Sequence, residues 1–350
     1  MATEPAAALR SDETGFEAVA EAEHAVGVGP WRLAARRLRR NKVAIGFGIL
    51  FLVLVAMAFA APIWANDVAH TNDTTNHLTE TLQEGKKQVL VVSYSGIPAG
   101  PQWFAAGGKF FLGADDNGRD VMVRLLYGAR TSLEIGIAAA LITTVLAVIV
   151  ALFAGYLRGV TDTVLSRIMD VIWAFPVVIL GVALGTALSI SGLTLGPISI
   201  QSGSLAIPIL IIGFVYVVYM ARPLRGQVLS LREKEFVEAA RAQGMGSLRI
   251  MFTEILPNLA STIVVFFPLA IANAILLEAY LSFLGAGVQA PTPSWGEMIS
   301  EGIDRITTAP HLTIVPGVML VLTVLALNIF GEGVRDALDP RAKVRIGDNA

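Results

Sequence analysis

Long apolar stretches alternate with polar segments along this chain. Six of them are about 17 to 23 residues long, enough for a helix rising 1.5 Å per residue to cross a hydrocarbon layer about 30 Å thick. The pattern predicts an all-α polytopic membrane protein with about six transmembrane helices and a small external segment. The stretches cover residues 43–63, 135–157, 171–190, 205–221, 259–277 and 312–330.

Composition agrees with a membrane protein. Hydrophobic residues make up 54% of the 350 residues, charged residues 15%, and the mean hydropathy is +0.65. A soluble domain usually carries about 25% charged residues. The formal net charge of -2 does not indicate a nucleic-acid partner, and the absence of cysteine excludes disulfides, thiolate metal sites and a cysteine nucleophile.

Basic residues mark alternate loops, and cytoplasmic loops are the ones enriched in Lys and Arg. They precede the first stretch and follow the second, fourth and sixth, whereas residues 191–204 carry none and residues 285–311 carry only Arg305. Both termini and the loop around Glu238 are therefore predicted to be cytoplasmic.

The polar segments divide the chain into parts with different predicted roles. The run at residues 88–94 is predicted to form a short strand, within an external segment that has turn-rich residues at 96–101. The predicted parts are a disordered acidic cytoplasmic tail (1–30), a basic segment with the first span (31–64), an extracytoplasmic segment (65–130), a membrane core with a cytoplasmic loop at 233–258 (131–335), and a cytoplasmic C-terminal tail (336–350).

Charged groups inside the spans and a nucleotide-binding loop are both missing from the sequence, which narrows the possible transport mechanisms. Apart from end residues such as Glu134 and Glu278, the six stretches contain no Asp, Glu, Lys, Arg or His, although ion-coupled carriers generally keep such groups at mid-membrane. No nucleotide-binding glycine loop is present, and the nearest string, at residues 107–110, lacks the first glycine and the hydroxyl. We assign no catalytic residue and no metal site, and any ATP must be bound by another chain.

The cytoplasmic loop has the pattern of a helix, a turn and a second helix. Residues 233–243 are good helix formers, Gly244 suits a left-handed cap, and Pro257 is expected to help end the second helical stretch. Small Ala239 and Ala240 let another surface approach closely, while Glu238 offers an acceptor. The alternative is a solvated amphipathic loop with no partner.

This loop resembles the EAA loop of the membrane subunits of binding-protein-dependent ABC importers. The resemblance rests on the spacing from Glu238-Ala-Ala to Gly244 and to Leu256-Pro257. Glu254 departs from the broad consensus, which prefers an aliphatic residue, but agrees with the peptide-importer branch. The residues implied in coupling to an ATPase are Glu238, Ala239, Ala240, Gly244, Leu256 and Pro257.

Residues 111–121 read Phe-Leu-Gly-Ala-Asp-Asp-Asn-Gly-Arg-Asp-Val and are similar to a signature of the C-type permease subunit of dipeptide and oligopeptide importers. Ala114 replaces a frequent Thr, and the external segment 65–109 is longer than usual for that family. Further similar segments are 125–132, 170–176, 276–285, 291–296 and 333–340.

The resemblance implies a type I ABC importer (MetI-like) permease fold in a bacterial-type cytoplasmic membrane. It also implies a second, B-type permease, two ATPase subunits that bind ATP and Mg, an extracytoplasmic substrate-binding protein, and a peptide cargo, with no cofactor bound by this chain. Nickel complexes, oligosaccharides or antimicrobial peptides are alternative cargoes. Rivals of another class are an ion-coupled secondary carrier and a non-transporting scaffold.

The acidic residues near 115–120 do not have the spacing of a calcium loop, because the glycine comes early and no bidentate Glu closes it. Asp120 is instead predicted to cap a helix starting at Val121, and Arg119 to pair with a carboxylate. The resemblance implies an interfacial helix here, near the landing site of the binding protein, which makes Asp115, Arg119 and Asp120 candidate contacts.

Two candidates for a gate or pathway lie near the predicted outer face. Glu278 is expected to be an interfacial carboxylate that snorkels and caps, or else a pathway residue. Ser294 and Glu297 have capping-box spacing, so Trp295 and Met298 are expected to face lipid or the channel mouth on an external gate helix.

A proline is the third candidate for a gate residue. Pro176 is expected to kink the third span, and Pro208 the fourth, because each removes a backbone hydrogen bond. Asp170 lies three residues after Arg167, a spacing that predicts a pair on one helix face.

Overall fold

The computed structural model describes residues 30–84 and 87–339, so most of the two predicted tails lies outside the described residues. The helices are α1 (Pro30–Leu38), α2 (Lys42–Phe59), α3 (Val121–Leu157), α4 (Gly159–Trp173), α5 (Val177–Ser191), α6 (Ala206–Val215), α7 (Val217–Leu231), α8 (Glu235–Ala242), α9 (Leu256–Phe283), α10 (Trp295–Gly302) and α11 (His311–Leu338). Shorter helical turns are Ala61–Ile63, Trp64–Val68, Ser247–Arg249, Ile250–Ile255 and Ile303–Arg305, and the strands are β1 (Thr81–Glu84), β2 (Lys87–Leu90), β3 (Leu193–Leu195) and β4 (Ile198–Ile200).

Within the described residues, five helical segments are long and apolar enough to cross a membrane, and there are six if the bent pair α4–α5 is one span. The prediction of an all-α protein with about six spans is confirmed. α6 and α7 form one span, and α9 continues without a break from the turns that begin at Ser247. The five unbroken segments are Lys42–Phe59, Val121–Leu157, Ala206–Leu231, Ser247–Phe283 and His311–Leu338.

The third apolar stretch is not one kinked helix, so that prediction is wrong. α4 ends at Trp173, α5 begins at Val177, and their axes differ by 86°. Pro176 stands just before α5, where its missing N–H breaks no helical hydrogen bond. A proline also disfavours the helical conformation of the residue before it, so Phe175 does not continue α4. Pro208 does not kink the fourth span either, because it lies in the first turn of α6, whose amides have no intrahelical acceptor.

α3 is longer than predicted and contains the expected interfacial helix. It runs for 37 residues from Val121, about 55 Å at 1.5 Å per residue, so the domain boundary expected at 130/131 falls inside it. The sequence offers no proline between 121 and 157 to end the helix. The segment that the resemblance implied as a separate surface helix is therefore the first part of a span.

α3 is the central helix, packing against α6, α7 and α9, while α9 also packs against α11. Glycines allow close approach, since a Cβ on Gly136 would meet Ile275 and one on Gly155 would meet Val228. Buried side chains form a cluster at the Glu238 end, including Leu152, and two more towards the other end.

The external segment has its own small core. β1 and β2 pair antiparallel with Thr81 opposite Leu90, so the strand predicted at 88–94 is confirmed over its first three residues. Leu82, Val91 and Phe110 are buried together beside these strands. A small folded unit therefore lies between α2 and α3, as predicted.

Candidate functional site

Residues 233–258, which we term the elbow, fold as α8, a turn, and the beginning of the long helix that contains α9. Gly244 has φ +81°, its amide donates to the Arg241 carbonyl at 2.9 Å, and the Met245 amide donates to the Ala240 carbonyl at 3.1 Å. This is the paired bonding that ends a helix with a left-handed residue. The predicted cap is confirmed, and it sets the direction in which the chain leaves α8.

One face of the elbow is anchored in the protein. Val237 is fully buried, together with Ile250, Met251 and Ile255 from the following turns. Ala240 belongs to the same cluster and is only 5% exposed, so the expectation that it receives another surface is wrong. The elbow is thus packed onto the ends of the membrane helices rather than suspended as a free loop.

The opposite face is exposed. Glu238, Ala239 and Pro257 lie on it, and Leu256 is half-buried. The expectation that Pro257 ends the second helix is wrong, because the helical chain continues through it from the π-helical turn Ile250–Ile255 into α9. Sequence analysis missed three exposed apolar side chains beside the Glu238 motif, namely Phe236, Leu248 and Phe252.

The elbow is tied to the end of α3. Arg232 donates to the Tyr156 carbonyl at 2.7 Å, and the Arg241 guanidinium lies 5.3 Å from the centre of the Tyr156 ring. On the α4 side, Arg225 from α7 holds Asp162 with two hydrogen bonds of 2.7 Å. This bidentate pair fixes α4 against α7, the helix that leads directly into the elbow. The contacts that the elbow itself makes with the end of α3 are those of Arg241 and of Glu233, which accepts from Arg158 at 2.6 Å.

Two adjoining cavities run along α7 and α9. Their volumes are about 290 Å³ and about 410 Å³, and both are lined by Phe266 and Leu269. We call them the groove. The first is also lined by Val177, Tyr216, Tyr219, Met220, Ala270 and Asn273, and the second by Pro223, Gln227, Ser261, Thr262, Val265, Arg335, Leu338 and Asp339.

The lining of the groove is apolar and aromatic with scattered hydroxyl and amide groups. Thr262 donates to Gln227 at 2.7 Å in the larger of the two cavities, and Asn273 is exposed in the smaller one. Among the described lining residues, the charged ones, Arg335 and Asp339, lie at one end. This surface can accommodate an uncharged polar backbone without selecting side chains.

The break between α4 and α5 adjoins the groove. Val177, the first residue of α5, lines it directly after Pro176. Asp170 accepts from Arg222 at 2.7 Å and lies 3.7 Å from Arg167, so the predicted pair with Arg167 exists but the contact across to α7 is closer. Arg222 also lies over the Trp173 ring at 4.6 Å. The bend is thus joined to α7 by exposed contacts.

Glu278 is fully buried, so the prediction of a snorkelling carboxylate is wrong. It accepts hydrogen bonds from Ser132 at 2.9 Å and from Ser282 at 2.7 Å. The Trp295 amide donates to the same Ser132 hydroxyl at 3.1 Å. α9 continues past Glu278 to Phe283 and α10 covers it, and this is why the carboxylate does not reach the surface.

Trp295 and Met298 do not face lipid or a channel mouth. Trp295 is fully buried, and its indole nitrogen donates to the Leu125 carbonyl at 3.3 Å. Ser294 caps α10 by accepting from the Glu297 amide at 3.1 Å, which confirms half of the predicted capping box. The Glu297 carboxylate does not return to the cap and instead contacts Arg124 at 2.9 Å.

A buried charge cluster joins the start of α3 to α10. Arg124 contacts Glu297 and Glu301, at 2.9 and 2.8 Å. Arg119 contacts Asp115 at 2.6 Å and Glu301 at 2.7 Å. Sequence analysis predicted a carboxylate partner for Arg119 but missed Arg124 and Glu301, because their contacts cross more than 170 positions of sequence.

The two glutamates of this cluster differ in the direction of their pKa shifts. Burial raises the pKa of Glu297 to about 8, with the Arg124 charge acting in the opposite direction. Burial would also raise the pKa of Glu301, but the Arg124 charge and the Arg119 hydrogen bond outweigh it and lower that pKa. The two glutamates share the Arg124 guanidinium, and the more deeply buried Glu297 therefore keeps its proton to higher pH than Glu301.

The three residues considered as external contacts are enclosed. Asp115, Arg119 and Asp120 are 7%, 4% and 0% exposed. Asp120 caps α3 by accepting from the Val123 amide and also accepts from the Phe110 amide, which confirms its predicted capping role. Burial raises the pKa of Asp120 against these hydrogen bonds. Asp115 and Arg119 line a cavity of about 170 Å³ beside this cluster, and a contact of the three side chains with a binding protein stays a prediction.

Comparison with known proteins decides the family. A model of the binding-protein-dependent transport system inner membrane component matches residues 147–344, more than half of the chain and all of the elbow. The chain belongs to this family of transport-system membrane components. A second model, the N-terminal TM domain of oligopeptide transport permease C, matches residues 29–82, which include α1 and α2.

Individual members of the family are similar over most of their length. The dipeptide transport system permease protein DppC of Alkalihalophilus pseudofirmus is 38% identical over 90% of this chain and 91% of its own. The glutathione transport system permease protein GsiD of Pectobacterium atrosepticum is 36% identical over 90% and 92%. The oligopeptide transport system permease protein OppC of Bacillus subtilis is 34% identical over 97% of each chain.

A solved structure supports the family fold. A chain of the MetNI methionine ABC transporter, in an inward-facing conformation, aligns with a TM-score of 0.51 and 18% identity, covering 63% of this chain and 98% of that chain. This similarity shows the fold alone. The predicted MetI-like permease architecture is confirmed.

Proposed function

We propose that this chain is a permease subunit of an ATP-driven importer that moves dipeptides or oligopeptides across the cytoplasmic membrane. The observation that carries the proposal is its similarity, over nine-tenths of its length, to the dipeptide, glutathione and oligopeptide permeases described above. The groove supports the same conclusion, because its lining suits peptides of many sequences.

The chain acts with other subunits. A second, B-type permease closes the open side of the groove, two ATPase subunits bind ATP and Mg, and an extracytoplasmic binding protein delivers the peptide. This chain makes and breaks no covalent bond and binds no cofactor. The distribution of Lys and Arg supports a cytoplasmic location for both termini and for the elbow.

The exposed face of the elbow receives an ATPase subunit. It combines the Glu238 carboxylate and the small Ala239 with the apolar Phe236, Leu248 and Phe252, and an exposed apolar patch of this kind is typical of a protein interface. When ATP brings the ATPases together, α8 moves with them. The buried contacts of the other face carry that movement into α3 and α9.

The two states of the permease need different contacts with the ATPase. A nucleotide shifts an equilibrium only when it favours one state by its interaction free energy. The continuous helix from Ser247 to Phe283 supplies the mechanical link, because it includes part of the elbow at one end and lines the groove along its length. Tilting this helix changes the width of the groove at both ends.

The experiment is a charge reversal on the elbow. We expect Glu238→Lys to abolish ATPase attachment or ATP-driven uptake in reconstituted vesicles, while the chain still inserts into the membrane. Gly244→Trp should do the same by redirecting the chain after α8. Asp336→Lys, which reverses an exposed carboxylate on α11, is the control and should retain uptake. Normal uptake by both elbow variants would reject the docking role.

The cargo is a separate question from the coupling. Nickel complexes, oligosaccharides and antimicrobial peptides are the alternatives within the same fold. Stimulation of ATP hydrolysis in reconstituted vesicles by a dipeptide series, compared with the alternatives, decides among them. An ion-coupled carrier would instead show uptake that follows a proton or sodium gradient without ATPase subunits.

A further inference from the structure

An aromatic patch lies where the external segment meets the end of α2. It consists of Trp64, Trp103, Phe104 and Phe111. The Phe111 ring lies at the centre, with centroid distances of 5.6 Å to Trp64, 5.2 Å to Trp103 and 5.0 Å to Phe104, all in edge-to-face arrangements. Such pairs hold rings in a fixed geometry.

The outer part of the patch is exposed. Trp103 is 58% exposed and Phe104 is 69% exposed. The nearby Lys109 ammonium group is paired with Glu80 at 2.6 Å. The molecule thus presents two large uncharged rings outward at one place.

The patch continues the surface of α2. Trp64 directly follows Ile63, and Phe59 and Ile63 at this end of the helix are 73% and 61% exposed. The loop that carries the rings is pressed against the same turn, since a Cβ on Gly108 would lie 2.5 Å from the Val68 side chain. The rings of the patch therefore lie at the edge of an exposed apolar surface of α2, of the kind that a spanning helix presents to lipid.

We propose that Trp103 and Phe104 insert into the headgroup and acyl boundary of the outer leaflet and hold the external segment on the bilayer. Aromatic side chains are enriched at this depth, where an apolar ring body and a polar indole N–H are both accommodated. The occupant is lipid because the patch is continuous with the α2 surface. The external segment is then a fixed base beside α2 and α3, with the other side of the segment, around the Ser93–Gly96 turn, left open to water.

The natural absence of cysteine makes this testable by single spin labels. We would attach a nitroxide to Trp103→Cys, Phe104→Cys and the control Tyr94→Cys in the intact complex, in nanodiscs of phosphatidylethanolamine and phosphatidylglycerol. Tyr94 is fully exposed and belongs to a turn that approaches Arg305 instead of α2. The measurement is the collision rate with oxygen, which partitions into lipid, relative to that with a water-soluble nickel chelate.

The expected result is an oxygen-to-nickel ratio at 103 and 104 that is several-fold higher than at 94. Equal, nickel-dominated ratios at all three positions would overturn the proposal. Protection of 103 and 104 only after an extracytoplasmic binding protein is added would also overturn it and would identify a protein-docking surface.

A second measurement leaves the native rings in place. Trp103 fluorescence, obtained as the difference between the unaltered chain and Trp103→Phe, should be quenched by lipids brominated near the headgroup end of the acyl chain. Lipids brominated at the end of the chain should quench it less. Absence of quenching by both lipids would contradict insertion even if the labelled variants had failed to fold.

Discussion

Individual buried carboxylates hold the outer end of the molecule together, and Glu297 shows how. Its pKa is raised to about 8 from an ordinary value of 4.5, so the folded state binds a proton that the unfolded state releases near pH 4.5. The stability gained from this proton is complete below pH 4.5 and is lost as pH rises through about 8. The lowered pKa of Glu301 acts in the opposite direction and only at more acidic pH.

Glu297→Gln tests this assignment. A glutamine resembles the protonated acid, so we expect the thermal stability of the variant, relative to the unaltered protein, to improve from pH 4.5 to about pH 8 and to level off above it. Thermal unfolding of the detergent-solubilised complex across this range is the measurement. Glu332→Gln, at an exposed position on α11, should show no such trend. A pH-independent difference for Glu297→Gln would show that this carboxyl group is charged in the folded state.

Glu278 joins α3 and α9 through hydroxyl groups. Removing its acceptors in Glu278→Ala leaves the hydroxyls of Ser132 and Ser282 without this partner in a buried site, and we expect a loss of about 1–3 kcal/mol of stability. Glu278→Gln keeps one acceptor and should lose less. Glu134→Ala removes an exposed carboxylate on α3 and serves as the control. Equal stabilities of Glu278→Ala and the control would contradict the bonding described here.

At the scale of elements, the direction of the elbow depends on one backbone conformation. Gly244 has φ +81° and Gly246 has φ −68°, and within the described part of the chain nothing would lie within 4 Å of a Cβ at either position. The two glycines therefore differ in conformation and not in available space.

Gly244→Ala and Gly246→Ala form a matched pair. An L-residue in the left-handed region costs about 1–2 kcal/mol. We therefore expect amide hydrogen exchange in residues 235–243 to become several-fold faster in Gly244→Ala, because the cap that ends α8 is weakened. Gly246→Ala should leave exchange in α8 unchanged. Equal exchange in both variants would mean that the left-handed cap does not stabilise α8.

Elements fixed by neighbouring residues were predictable from the sequence, and elements fixed by distant contacts were not. The caps at Asp120, Ser294 and Gly244 follow from residues within four positions of each helix end. The burial of Glu278 and Trp295 instead depends on Ser132 and Leu125, which lie 146 and 170 positions away. Hydropathy alone placed both residues at the boundary between membrane and water, because it does not show which helices pack over them.

The same reasoning applies to the candidate site. The Glu238 motif and Gly244 are contiguous signals, so the elbow was predicted with its turn. The groove was not, because Tyr219, Phe266 and Asn273 come from separate helices whose facing sides depend on packing. The break at Pro176 was expected as a kink, since proline specifies an interruption but not an angle of 86°.

At the scale of the whole molecule, the elbow and the groove are connected by the same packed helices. The elbow is packed onto α3 and α9, the groove runs along α7 and α9, and the bend between α4 and α5 meets the groove at Val177. Force applied at the exposed face of α8 therefore reaches the groove through buried side chains. In the assembly proposed above, the ATPase subunits supply this force.

Peptide uptake into proteoliposomes tests this account most directly. The full complex, with the binding protein outside and ATP enclosed with the ATPase side, should accumulate a labelled peptide, and omitting ATP or introducing Glu238→Lys should abolish accumulation. An imposed proton or sodium gradient should not replace ATP. Accumulation driven by such a gradient, by this chain alone and without ATPase subunits, would contradict the account.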